Sequence, residues 1–175
     1  MSLQKIATSL VILGLTFSGC VMAADDPGED DKNFPGAFCQ PKSNTVAITR
    51  DDQGRMLNNS NIQQTWICPI VRDVFQRNTV EYAKIVVLDN NIAEGDPNVS
   101  CKLVAKKETG ATCNTSRPQH SKDTGTQKLE FAKGDGNFGT CEVAYYYFLC
   151  DIPGIYRSKK SGIVSYGVAE NIEKK

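Results

Sequence analysis

The stretch Glu142-Val143-Ala144-Tyr145-Tyr146-Tyr147-Phe148-Leu149-Cys150 runs almost without polar interruption. A short apolar run rich in aromatic residues fits a strand covered on both sides, in the middle of a sheet. Successive side chains of a strand point to opposite faces, so Tyr145 and Tyr147 share one face while Tyr146 and Phe148 share the other. One of these faces belongs to a core. The other is free to stack on a sugar or a protein partner, which makes Tyr145 and Tyr147 the candidate ligand platform.

The same period of two recurs outward along the chain from this strand. Ile62, Gln64, Trp66, Cys68 and Ile70 share one face of an earlier strand, and Trp66 is expected to pack inside, over a disulfide. Between Thr79 and Asp89, apolar residues fall on both sides, with Val80, Tyr82, Val86 and Leu88 against Ala83, Ile85 and Val87, so a second central strand is expected. Val99, Cys101, Leu103 and Ala105 face away from Ser100, Lys102 and Lys106, and Leu129 and Phe131 face away from Lys128 and Glu130. A short strand is expected at residues 45–49, carried by Val46 and Ile48, and a last one at residues 163–170 with Val164, Tyr166 and Val168 inward. No segment keeps apolar positions at helical spacing over three turns. Short strands joined by clusters of Gly, Asn, Asp and Pro specify an all-β fold, an antiparallel two-sheet β-sandwich of immunoglobulin-like or jelly-roll-like type.

The N-terminus has the three-part layout of an export signal over residues 1–23: Lys5, then the apolar run from Ile6 to Leu15, then small residues. Val21-Met22-Ala23 suits a signal peptidase, whereas Phe17-Ser18-Gly19-Cys20 is a variant of the motif that attaches lipid at Cys20. The expected location is secreted or periplasmic, with a lipid-anchored envelope protein as the alternative. No later segment approaches the ~20 apolar residues of a membrane-spanning helix. Residues 24–36 begin with the acidic Asp25-Asp26-Pro27-Gly28-Glu29-Asp30-Asp31 and are expected to be a flexible arm, leaving residues 37–175 as the sandwich domain. Basic and acidic residues balance at 20 each over the whole chain, and beyond Asp31 they number 19 and 15. Such a balance does not point to nucleic acid as a partner.

Besides Cys20 there are six cysteines, Cys39, Cys68, Cys101, Cys113, Cys141 and Cys150, an even number that in an exported protein reads as three disulfides. Many pairings are open. The one proposed from strand positions joins Cys39 to Cys68, Cys101 to Cys150 and Cys113 to Cys141. Metal binding is not expected, because there is no Cys-x-x-Cys pair and only one histidine, His120. His120 sits in the polar stretch of residues 114–123 without a Gly-x-Ser-x-Gly elbow nearby, so no catalytic residue is assigned. Glu81, Glu130 and Glu142 read as ordinary outward acids of strands rather than a catalytic pair. Residues 134–139 form a glycine-rich turn without the lysine of a phosphate loop, and residues 89–96 depart from calcium-loop spacing, so no cofactor is expected. Asn58, Asn98 and Asn114 each start an Asn-x-Ser sequon.

Four segments, Cys68-Pro69-Ile70-Val71-Arg72-Asp73, Val99-Ser100-Cys101, Tyr147-Phe148-Leu149-Cys150-Asp151-Ile152-Pro153 and residues 161–170 (Ser-Gly-Ile-Val-Ser-Tyr-Gly-Val-Ala-Glu), together resemble a loose group of small exported bacterial proteins. The resemblance covers most of the chain after the signal. It implies a sandwich and export, and carries over no activity and no functional site. Cys113 and Cys141 stand outside the cysteine set of that group, which is a further reason to pair them with each other. The expected function is therefore non-enzymatic binding of an unknown protein or glycan. Two specific forms of it are an inhibitor presenting residues 114–125 to a hydrolase and a carbohydrate-binding module using Tyr145 and Tyr147.

Overall fold

The computed structural model describes residues 29–44, 47–71, 80–91, 98–132 and 144–171. Twelve strands are found among them: β1 (Glu29–Pro35), β2 (Gln40–Pro41), β3 (Ile48–Arg50), β4 (Met56–Asn58), β5 (Gln64–Ile70), β6 (Val80–Asp89), β7 (Ser100–Lys106), β8 (Thr112–Thr115), β9 (Gln119–His120), β10 (Gly125–Ala132), β11 (Tyr145–Ile152) and β12 (Gly162–Asn171). They form two antiparallel sheets. Sheet A has the order β10-β6-β12-β4-β3 with β1 also paired to β12; sheet B has the order β2-β5-β11-β7-β8 with β9 also paired to β7. From β5 onward each long strand lies in the opposite sheet from the long strand before it. This alternation is that of a jelly roll, whereas an immunoglobulin domain keeps hairpins within a sheet.

The core lies between the sheets because the apolar parity of each long strand faces inward. Ile85, Val87, Phe131 and Ile163 from sheet A meet Trp66, Leu103, Phe148 and Ile152 from sheet B, all essentially inaccessible. Phe148 is central to this contact: its ring lies 5.4 Å from Phe131 and meets Tyr166 edge-on at 6.1 Å. Tyr166 also donates its hydroxyl to the Pro69 carbonyl of the opposite sheet at 2.9 Å. Burial pushes the Tyr166 hydroxyl up to about 12. Two disulfides lie in the same layer, Cys39 to Cys68 and Cys101 to Cys150, the pairings expected for these four cysteines. Cys113 is disulfide-bonded as well, and its expected partner Cys141 lies outside the described residues.

Four expectations need correction. The arm assigned to residues 24–36 is, from Glu29, an ordered strand: β1 pairs with β12 from Glu29↔Asn171 to Pro35↔Ser165, so the sandwich begins before residue 37. Its acidic run conceals an alternation in which Phe34 stacks on Tyr166 at 5.2 Å and Lys32 Nζ bonds Glu170 Oε2 at 3.1 Å. Residues 24–28 and Cys20 lie outside the described residues. Of the strand expected at residues 45–49, Thr45 and Val46 lie outside the described residues and β3 runs over Ile48–Arg50; its hairpin partner β4 has only three residues, too few to show a period. Val164 does not face inward, since a bulge between Ile163 and Ser165 turns Ile163 to the core in its place, while Tyr166 and Val168 are buried as expected. Residues 114–125 are no projecting loop: β8 and β9 lie along β7, with Ser116 and Ser121 buried.

Buried polar groups tie the strands at one end of the sandwich. Asp89 accepts hydrogen bonds from the Ser121 and Ser161 hydroxyls and from the backbone N–H of Val99. Gly162 crosses β4 so closely that a Cβ there would lie 2.0 Å from the Met56 carbonyl oxygen, which leaves room only for glycine.

Candidate functional site

The outer face of sheet B holds the candidate platform, and pairing register lays its residues out in rows. Tyr145 lies beside Lys106, and Tyr147 between Pro69 and Val104. Leu149 lies between Ile67 and Lys102, and Asp151 between Thr65 and Ser100. Gln40 extends the Ile67 row to one edge, while Thr115 and His120 extend the Val104 and Ser100 rows to the other. An apolar strip of Tyr145, Tyr147, Leu149, Ile67 and Pro69 is thus bordered by amide, hydroxyl and charged groups.

Tyr145 and Tyr147 form one surface. Their ring centroids are 6.5 Å apart and their planes differ by 25°. Tyr145 is 48% exposed and Tyr147 half-buried. Burial first, and the neighbouring Tyr145 second, push the pKa of the Tyr147 hydroxyl up, so it stays a protonated donor. Tyr146 and Phe148 point into the core with 1% and 0% exposure, as alternation requires.

Beside the strip lies a depression of about 590 Å³ lined by Ser100, Lys102, Thr115, Arg117, Leu149 and Asp151, together with Ser116 and Pro118. Three separate segments build it. Lys102 and Asp151 reach it from neighbouring strands of one face, and Arg117 comes from the connection between β8 and β9. That connection is held down by Ser116, whose N–H donates to the Leu103 carbonyl and whose hydroxyl accepts from the Leu103 N–H, each at 2.9 Å. Asp151 accepts the Thr65 hydroxyl at 2.6 Å.

The remaining candidates fall elsewhere or serve the scaffold. Trp66 is fully buried, with its indole N–H unpartnered. His120 is exposed, opposite Ser100. A Ser-His-Asp triad places the carboxylate on the far side of the imidazole, yet here Asp151 lies on the far side of Ser100 from His120, so the relay is not assembled. Glu130 accepts the Tyr82 hydroxyl and pairs with Lys128 at 2.5 Å. Those two hydrogen bonds hold its carboxyl below the usual range. Asn58 is buried and donates its amide to three carbonyls, which removes it as a glycosylation acceptor in the folded protein. Glu142 and residues 134–139 lie outside the described residues, as does most of the 89–96 loop. Among the described residues no three His, Cys, Asp or Glu side chains gather as metal ligands, and no helix is long and apolar enough to cross a membrane.

No protein-family model and no curated protein sequence matches the chain. Among solved structures it is similar to a low-affinity xylan-binding module (CBM86) from Roseburia intestinalis, with 12% identity over 79% of this chain and 94% of that one at a TM-score of 0.49. A xylan-binding module (CBM15) is similar at 11% identity, 85% and 100% coverage and a TM-score of 0.46. A family two carbohydrate esterase from Cellvibrio japonicus is similar at 6% identity, where 82% of this chain matches 35% of that one at a TM-score of 0.46. The platform and depression described above stand on this chain's own side chains.

Proposed function

We propose that this protein is a non-catalytic binding module that holds a carbohydrate chain on the outer face of sheet B. The supporting observation is the outward-facing, nearly parallel Tyr145–Tyr147 pair, with Tyr145 exposed and Tyr147 half-buried. A pyranose ring has an apolar face of C–H groups and a rim of hydroxyls, so it needs an aromatic surface bordered by hydrogen-bonding groups. The apolar strip supplies the first. Gln40, Thr65, Ser100, Thr115 and Asp151 supply the second from a rigid sheet, so few side chains have to be ordered on binding. The disulfides suit work in an oxidising compartment outside the cytoplasm.

Retention of the purified protein by polysaccharide gels tests this reading. Tyr145→Ala and Tyr147→Ala are each expected to weaken retention by about tenfold, the loss of one stacked ring. Both side chains are at least partly exposed, so the variants are expected to fold as the parent does. Unchanged retention in the double variant would overturn the reading.

A further inference from the structure

Three cations among the described residues pair with carboxylates: Lys32 with Glu170, Arg55 with Asp51 and Lys128 with Glu130. Lys102 and Arg117 differ. They come from separate elements into one depression, and among the described residues neither side chain forms a hydrogen bond or an ion pair. The single carboxylate there, Asp151, is engaged by the Thr65 hydroxyl. Of the other ionisable groups on this face, Lys106 turns to the Gly110 carbonyl at 3.2 Å and His120 stands at the edge. The depression is therefore an electropositive place with two open donors, continuous through Leu149 with the tyrosine pair. Leu149 is two residues from Tyr147 on the same side of β11, about 7 Å along the strand, so a chain stacked on the rings brings its next sugar to the depression.

Resting on the glycan reading above, we infer that the preferred ligand is an acidic polysaccharide, whose carboxylate or sulfate group sits between Lys102 and Arg117 while neighbouring sugars stack on Tyr145 and Tyr147. An anion meeting a guanidinium and an ammonium forms charge-assisted hydrogen bonds, stronger than those available to a neutral hydroxyl. Asp151 opposes a second negative charge, so the site favours spaced anionic groups over a dense polyanion.

The test uses affinity electrophoresis of the full mature protein in gels containing a neutral β-glucan, polygalacturonate, a sulfated galactan or poly-glutamate, at low and high salt. The expected result is retention by one or both acidic polysaccharides at least ~tenfold stronger than by the neutral one, weakening with salt as exposed charge contacts do. The response to polygalacturonate against sulfated galactan tells carboxylate from sulfate. In K102Q/R117Q, retention by the acidic glycan should fall to the neutral level, and in D151N it should rise. Tyr145→Ala/Tyr147→Ala should lose both kinds of retention. Equal retention by neutral and acidic glycans, or no change in K102Q/R117Q, would overturn this inference and leave the glycan reading standing. Equal retention by poly-glutamate would reduce the site to ion exchange and overturn it too. No retention by any glycan would overturn both.

Discussion

Asn58 shows how much one side chain can carry in a fold built of strands. It is fully buried at the end of β4, and its amide donates to the carbonyls of Ile62, Ile152 and Pro153 at 2.9 to 3.1 Å. Its own carbonyl accepts the Ser60 N–H at 3.0 Å. Asn58→Ala strands these partners where water cannot easily replace them, and is expected to cost about 3 kcal/mol, read as a lower denaturant midpoint at unchanged slope. From the sequence, Asn58 shows only a sequon; that two distant carbonyls, Ile152 and Pro153, converge on it with the nearby Ile62 carbonyl is a property of the assembled sandwich. Tyr145 and Tyr147 were legible because parity along one strand is local. The meeting of Lys102 with Arg117 was only half legible. The alternation of β7 places Lys102 outward, but Arg117 sits in a polar stretch whose position against β7 depends on a serine bonding to a strand backbone.

At the level of elements, the long strands could be read and the short or irregular ones could not. β7, β10 and β11 bury the residues that period-two reasoning assigns to the core, and β5 does so from Trp66 to Ile70, whereas Ile62 of the same expected face lies before the strand and is exposed. β12 departs at Val164 because a bulge resets parity, and β6 carries a second irregularity opposite Ala169 and Glu170 that lets Val80 and Ala83 both face inward. Composition misled at β1, where a run of acidic residues hides Lys32 and Phe34. Glu170 is 1% exposed and Lys32 14%, so their ion pair is far less screened than a surface pair. Lys32→Met removes the ammonium and keeps most of the apolar stem. It is expected to destabilise the protein by about 2 to 3 kcal/mol, and Lys32→Met/Glu170→Gln to recover part of that loss, because the uncompensated charge goes with the carboxylate. Chemical denaturation of the three proteins measures this; equal stability of Lys32→Met and the parent would show that β1 is not anchored by the pair.

For the molecule as a whole, stability is assembled from long-range pairings. Among the described residues no long strand pairs with the long strand next to it in sequence, so both sheets close only when distant segments meet. The two bridges span 29 and 49 residues, loops whose closure in the unfolded chain is worth roughly 3.5 and 4 kcal/mol in the chain-entropy account. Tyr166 then couples the sheets through its ring contacts with Phe34 and Phe148 and its hydroxyl on Pro69. This coupling depends on the phenol staying neutral. Burial raises its pKa from 10.0 to about 12, and Tyr82, desolvated and donating to Glu130, is also raised to about 12. Because the folded value exceeds the unfolded one, the unfolded chain loses these protons first as pH rises. The stability they represent is whole below pH 10 and is lost between pH 10 and 12. For buried Tyr166 the loss amounts to about 2 to 3 kcal/mol. Denaturation at pH 9 and pH 11.5 should therefore show a marked fall for the parent and a smaller one for Tyr166→Phe, which lacks the titrating group while keeping the ring. The same fall in both proteins would mean that lysine or bridge chemistry, rather than Tyr166, sets the alkaline limit.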